Sequence, residues 1–213
     1  MIVAELMTKN VITVTRETPV LEALKKMHEH GFRRLPVVDE DGHPVGMVSQ
    51  RSIEVLKPQS GIPSLWQIGP WASHHTVGEA MNKKLVTVRP TDTVEYATYK
   101  AQDAKVGSLM VVDEGKLVGL VTTNDIFYKV VNPTLGIGET GSRIVISGGE
   151  SRLDAGNILK CIERLGVGIK VIWAIDEGGS GPRDLVVHID ADGARGIISE
   201  LTRLGYAAKI IKR

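Results

Sequence analysis

The chain repeats itself, and that limits its architecture before any element is assigned. Val3-Ala4-Glu5-Leu6-Met7-Thr8 returns 74 residues later as Val77-Gly78-Glu79-Ala80-Met81-Asn82. The same offset carries Thr13-Val14 onto Thr87-Val88, Thr18-Pro19-Val20 onto Asp92-Thr93-Val94, and Leu35-Pro36-Val37-Val38-Asp39 onto Leu109-Met110-Val111-Val112-Asp113. Past the turn the offset falls to 73, because Asp39-Glu40-Asp41-Gly42 is one residue longer than Asp113-Glu114-Gly115. A one-residue change inside a turn leaves both frames intact. Each copy reads strand, helix, strand, hairpin, strand, helix. In the first, Val20, Leu21, Leu24 and Met27 recur at helical spacing behind Thr18-Pro19, with the proline in a first turn, and the helix stops near Gly31. Leu35-Pro36-Val37-Val38 and Val45-Gly46-Met47-Val48 are short apolar runs joined by a turn on Asp41-Gly42, the composition of a strand pair. One copy is too small to bury its own apolar face. The two are expected to pack as a pseudo-twofold pair with clefts between them.

Residues 57–76 occur once, between the copies. With Pro58, Pro63, Pro70, Trp66 and Trp71 they read as a connector whose tryptophans cover core edges or a subunit contact. Adjacent His74 and His75 do not share a helix face, and no histidine spacing resembles a zinc site, so no metal is expected. A linker punctuated by Gly and Pro fills 132–142. From 143 to 213 the pattern changes. Arg143-Ile144-Val145-Ile146 is a strand, and Ala155, Ile158, Ile162 and Leu165 mark a helix face ending at Gly166. Ile169 to Ala174 and Leu185 to Ile189 are strands around the Glu177 to Pro182 turn. Ile197, Ile198, Leu201 and Leu204 mark a second helix ending at Gly205, and Ala208 to Ile211 closes the set. The order βαββαβ is the ferredoxin-like pattern, and the chain as a whole is α/β of the α+β type. Cys161, beside apolar positions, reads as a buried small hydrophobe.

Charge and motifs narrow the function. Lys plus Arg total 26 against 25 Asp plus Glu, a formal charge of +1, which gives no field to draw the protein onto nucleic acid or an anionic membrane. A single cysteine excludes an intramolecular disulfide. MIVAELMTKN has no basic leader, and no run approaches the ~18 apolar residues of a membrane span, so a soluble cytoplasmic protein is expected. There is no nucleophile elbow, Walker loop, metal cluster or Ser-His-Asp arrangement, and the sequence points away from an enzyme.

With both copies laid out, residues 1–131 resemble a pair of cystathionine-beta-synthase (CBS) domains, a Bateman module. The resemblance is carried by VTVTRETPVLEALKKM, RRLPVVDEDG and VGMVSQRSI, and again by VTVRPTDTVEYA, LMVVDEG and VGLVTTNDI. It implies repeat 1 over 1–56, an insert over 57–76 and repeat 2 over 77–131. Residues 143–213 resemble an ACT domain, and the CBS-CBS-ACT order resembles the acetoin utilisation protein B family of bacterial accessory proteins. These resemblances imply a stand-alone sensor: adenine nucleotide in the CBS cleft, no required cofactor, a homodimer, and an unidentified protein partner in acetoin or related carbon metabolism. A constitutive dimeric scaffold with vestigial pockets and a small enzyme with an unrecognised site are the alternatives.

In CBS pairs a Gly-x-x-Ser/Thr-x-x-Asp turn binds the nucleotide, and Gly119-Leu120-Val121-Thr122-Thr123-Asn124-Asp125 matches it. A carboxylate at Asp125 accepts from both ribose hydroxyls, while Thr122, Asn124 and N–H groups opening the next helix favour an anion. The resemblance implies Ile12 against the base and Arg33 and Arg34 facing the phosphates, a task suited to the planar guanidinium fork. Gly46-Met47-Val48-Ser49-Gln50-Arg51-Ser52 keeps glycine and hydroxyl but lacks the carboxylate. Its partner segment has Val86, Gly107 and Ser108 in place of Ile12, Arg33 and Arg34. One principal site is therefore expected, with the Ser49 and Ser52 side weaker, empty or accepting another ligand. A purely local reading stands beside this one: Asp125 and Ser52 as helix N-caps, and Arg33 and Arg34 as solvated charge. In the ACT-like part, Ser147-Gly148-Gly149 either presents N–H groups to an effector or is a plain turn. Glu150-Ser151-Arg152-Leu153 stands where that family has Asp-Arg-Pro-Gly. Edge-to-edge sheet association is the structural alternative for this part.

Overall fold

The structure is a computed structural model that describes residues 1–56, 72–147, 154–175 and 184–211. It divides into two units, Met1–Ile126 and Phe127–Arg213.

In the first unit, helix α1 (Val3–Leu6) leads into α2 (Val20–Glu29), which turns Val20, Ala23 and Met27 into the core. Pro19 precedes α2 as its N-cap rather than lying in its first turn. The helix ends in a Schellman motif: Phe32 N donates to Met27 O, Gly31 N donates to His28 O, and Gly31 sits at φ 66°. Strands β1 (Arg34–Val38) and β2 (Pro44–Ser49) form an antiparallel hairpin, and α3 (Gln50–Leu56) follows. The second copy gives α4 (Val77–Ala80), β3 (Thr87–Val88), α5 (Val94–Asp103), β4 (Ser108–Asp113), β5 (Lys116–Thr122) and the single turn α6 (Thr123–Ile126). Both hairpins carry a bulge at the same place, between Val37 and Val38 and between Val111 and Val112.

One expected element is cut short. The strand holding Ile12 is reduced to a single parallel bridge from Val14 to Val37, whereas β3 pairs with β4 over two residues. In the second copy Met110 N donates to Val86 O. Pro36 stands at the equivalent place in the first copy and has no N–H to give, so the ladder stops.

The copies complete each other. Val3 N and Ala4 N donate to Asp92 O and Pro90 O; in return Val77 N and Gly78 N donate to Thr18 O and Arg16 O, all at 2.8–2.9 Å. Thr8 bridges Leu120 as Asn82 bridges Met47. Every such contact is made twice with the roles of the copies exchanged, which is the pseudo-twofold symmetry. The crossing segments also explain the glycine of each repeated turn. A Cβ at Gly46 would lie 2.6 Å from Met81 Sδ and 3.2 Å from Asn82 O, and one at Gly119 would collide with the Met7 side chain. One core collects Val14, Val20, Met27, Leu35, Val37, Val48 and Ile53 with Val77, Ala80 and Met81 of the other copy.

The second unit opens with a π-helical turn (Phe127–Val131) and α7 (Asn132–Leu135), capped by Gly136 at φ 61°. The expected linker therefore begins as helix. Strand β6 (Ser142–Ser147), helix α8 (Ala155–Arg164), strands β7 (Ile169–Ile175) and β8 (Asp184–Ile189), helix α9 (Arg195–Arg203) and strand β9 (Ala207–Ile211) follow. They form a four-stranded sheet ordered β7-β8-β6-β9, with every neighbour antiparallel. Ile144, Ile146, Ile158, Ile162, Val187, Ile189, Ile197 and Leu201 make its core. Leu165 and Leu204, expected on the apolar helix faces, are exposed, because each is the C-cap where its helix has already turned away. Cys161 is buried, and burial pushes its thiol pKa up. His188 is wholly buried, its Nε2 3.0 Å from Thr140 O. Trp66 and Trp71, Gly148 and Gly149, residues 150–153 and the 177–182 turn lie outside the described residues. Among the described residues no helix is long and apolar enough to cross a membrane.

Candidate ligand clefts

The two repeated turns are built alike. At the end of β5, Thr122 N and Thr122 Oγ1 donate to Asp125 Oδ2 at 2.9 and 2.6 Å, and Asp125 N donates back to Thr122 Oγ1 at 3.2 Å. At the end of β2, Ser49 N donates to Ser52 Oγ at 2.9 Å and Ser52 N donates to Ser49 Oγ at 3.1 Å. Each is a reciprocal capping arrangement in which the first hydroxyl residue precedes the helix and its partner three residues on reaches back. This corrects the local reading in one respect: Thr122 and Ser49 are the N-caps, while Asp125 and Ser52 occupy the third helical position. It also reduces the number of backbone donors open to an anion. The N–H groups of Thr122 and Asp125 are used within the turn, and Thr123 N donates to Gly107 O at 3.2 Å. In the other turn Gln50 N likewise donates to Arg33 O.

A cleft of about 790 Å³ opens between the copies, within the roughly 300–1,000 Å³ range of small-molecule sites. Arg33, Arg34, Ser49 and Arg51 line it from the first copy; Lys84, Val86, Lys105, Gly107 and Ser108 line it from the second. Four residues expected at the altered site, Ser49, Val86, Gly107 and Ser108, therefore converge, and Ser52 stands behind Ser49 as its bonding partner. Arg33 and Arg34, expected to be missing from this side, line it as well. For Arg34 the reason is its place near the symmetry axis. Arg34 pairs in register with Ser49, and Ser108 pairs with Thr122. Arg34 Nη1 donates to Ser108 Oγ at 3.2 Å across 74 residues, so Arg34 touches its own image in the repeat. A Cβ at Gly107 would come within 3.3 Å of that guanidinium, so the small residues of one copy make room for the arginine of the other.

On the other side, Asp125 is half-buried, Asn124 is exposed, and Ile12 packs against the first core. Arg51, Lys84 and Lys105 were not anticipated. The signal for Lys105 was legible, since it stands where the first copy has Gly31. Elsewhere Asp39, Asp41 and His43 bring ligand atoms within 4.8 Å of one another. Their own bonds account for the grouping: Asp39 Oδ1 accepts from Asp41 N and His43 N, and Oδ2 meets His43 Nδ1 at 3.2 Å, closing the β1–β2 turn. These bonds hold the Asp39 carboxyl below its ordinary pKa, the His43 backbone N–H first among them.

The family model of the CBS domain matches residues 3–54 and 77–132, about half of the chain. The chain belongs to the CBS domain family. Outside the family model, its CBS pair is similar to the Arabidopsis thaliana CBS domain-containing protein CBSCBSPB3, 29% identical over 164 residues. It is also similar to the inosine-5'-monophosphate dehydrogenase of Korarchaeum cryptofilum, 34% identical over 126 residues. The matches cover 63% and 59% of this chain but only 29% and 23% of those proteins, so CBS pairs of this kind also sit inside much longer chains, an enzyme among them. Among solved structures, a Vibrio cholerae protein assigned to acetoin utilization is 26% identical with a TM-score of 0.54, covering 62% of this chain and 91% of that one. CBSX2 of Arabidopsis thaliana in complex with AMP is 27% identical with a TM-score of 0.52, covering 62% and 96%.

Proposed function

We propose that the chain is a non-catalytic regulator that senses adenine nucleotide through the Asp125 turn. The observation that carries this reading is the inequality of two turns otherwise built alike. Ser52 completes its reciprocal cap with a hydroxyl, so the cap itself does not call for a carboxylate at that place. A carboxylate at this position suits a ribose diol, with Ile12 toward the base and Arg33 and Arg34 toward the phosphates. The AMP complex of the related CBSX2 supports an adenosine ligand, and the Vibrio cholerae relative supports a role in acetoin or related carbon metabolism. Nucleotide binding would shift the balance between arrangements of the copies and change what the protein offers to an unidentified partner in the cytoplasm.

The second unit is read as ferredoxin-like and of ACT type. Its element order and the sheet order β9-β6-β8-β7, all antiparallel, support that reading. Ile172 on edge strand β7 and Ile210 and Ile211 on edge strand β9 are exposed, which supports homodimerisation through sheet edges. Ser147, the last residue of β6, would open the effector turn with Gly148 and Gly149.

The scaffold reading has one observation in its favour: Asp125 Oδ2 already accepts from Thr122 N and Oγ1. A thermal melting screen with AMP, ADP, ATP and S-adenosylmethionine separates the two. A ligand at ~100 times its dissociation constant adds about 2.7 kcal/mol to stability; a sensor at Asp125 gives a shift with AMP that Asp125→Ala removes, and a scaffold shows none with AMP or S-adenosylmethionine.

A further inference from the structure

The Ser49-side cleft is strongly and one-sidedly charged. Arg33, Arg34, Arg51, Lys84 and Lys105 line it against one carboxylate, Glu54. Among the described residues none of these five cations forms an ion pair with an acid. The comparable hollow of about 820 Å³ on the second copy is different, setting Arg89 and Lys100 against Asp92, Asp113 and Glu114.

Lys105 supplies an independent observation. Helix α5 ends in the same Schellman motif as α2, with Val106 N donating to Ala101 O at 2.9 Å and Lys105 N to Gln102 O at 3.1 Å. The residue between must take positive φ. Gly31 does so at 66° in the first copy, whereas Lys105 is held there at 53°. A side chain in the left-handed region costs stability that glycine would not, so the fold alone does not select lysine here. What lysine adds is an ammonium group in the cleft wall.

We infer that this cleft binds a compact oligophosphate anion, held by charge and not by a sugar. Several phosphate oxygens can engage guanidinium forks and ammonium groups together. The ribose acceptor is missing, because Ser52 replaces the carboxylate and its hydroxyl already donates to Ser49 O at 2.9 Å. This inference rests on the charge of the Ser49-side cleft; Arg33 and Arg34 are shared with the Asp125 reading, but Arg51, Lys84 and Lys105 belong to this cleft alone, so the two lysine variants and Asp125→Ala tell the two readings apart.

The test is titration calorimetry of the full chain with tripolyphosphate as the probe, at low and high salt. One site per chain is expected, tightest at low salt, since partly exposed charges are screened. Lys84→Ala and Lys105→Gly should each weaken it about tenfold, and Asp125→Ala should leave it unchanged. Lys105→Gly should also raise Tm by about 3 °C, the opposite sign to its effect on binding. Four results overturn the inference: no tripolyphosphate binding below millimolar; affinity unchanged in both lysine variants; a loss of affinity in Asp125→Ala; or ATP binding this cleft far more tightly than tripolyphosphate in Asp125→Ala, which would assign it to the nucleoside. Equal affinity for the two in that variant supports recognition of the phosphate chain alone.

Discussion

Replacing Asp125 with alanine separates the two roles its carboxylate could hold. The side chain accepts two hydrogen bonds from Thr122, at 2.9 Å from the backbone and 2.6 Å from the hydroxyl, in a half-buried turn. Losing a cap of this kind costs about 1 kcal/mol, since the orphaned N–H regains only part of its bonding from water. For a unit of this size that is a fall in Tm of about 4 °C. Ser52→Ala is the matched control. It loses the bonds from Ser49 N and to Ser49 O, both 2.9 Å, and should be destabilised by a similar ~1 kcal/mol. Stability therefore does not distinguish the turns, but nucleotide affinity should. A charged acceptor for the ribose diol is worth about 2 kcal/mol, so Asp125→Ala should weaken AMP binding roughly 30-fold while Ser52→Ala changes it less than about twofold. Urea denaturation and titration calorimetry on the two variants give both numbers. Equal affinity losses, or none in Asp125→Ala, would leave Asp125 with a part in closing the turn and none in binding nucleotide.

Two further outcomes follow from the fold. Gly119→Ala should destabilise the first unit by about 1–3 kcal/mol, because the new methyl meets not only the movable Met7 sulfur but also Met7 Cγ at 3.0 Å and Cβ at 3.2 Å. Adding Met7→Ala should recover part of the loss in urea melts, and a purely additive double variant would contradict the packing account. Acid should act through Glu79, whose carboxyl is held below its ordinary 4.5 first by the hydrogen bond to the His75 ring and then by Thr76 N. A depressed folded pKa gives stability that is full above the ordinary value and lost as pH falls through the folded one. The urea midpoint should therefore drop as pH is lowered below about 4.5, and Glu79→Gln should show a smaller drop; an equal drop in both sinks the assignment.

The fold was legible where the chain states its pattern twice. The 74-residue offset was enough to anticipate two interlocked copies, since the contacts that close one copy must recur with roles exchanged, as Val3 to Asp92 and Val77 to Thr18 do. What could not be read were consequences of that crossing. The glycine opening each turn looked like part of a ligand motif, yet Met7 and Met81 packing over it is sufficient reason for it. Arg34 was assigned to one side because the alignment gives a residue one counterpart, whereas near a twofold axis a long side chain reaches across to its own image, Ser108, and so lines the Ser49-side cleft. The shortened first strand was hidden in a single proline, Pro36, whose missing N–H matters only once its parallel neighbour is known. Lys105 was visible as a departure from Gly31, but its meaning needed the backbone angle.

Whether a carboxylate at the third position of this turn makes an adenine-nucleotide site can be read most directly from the stoichiometry of AMP binding to wild type and to Ser52→Asp. One AMP per chain is expected in the wild type, and a second, weaker one when the Asp125 chemistry is copied onto the Ser49–Ser52 turn. No AMP bound by the wild type, or a ratio that Ser52→Asp leaves unchanged, would contradict that role for the carboxylate.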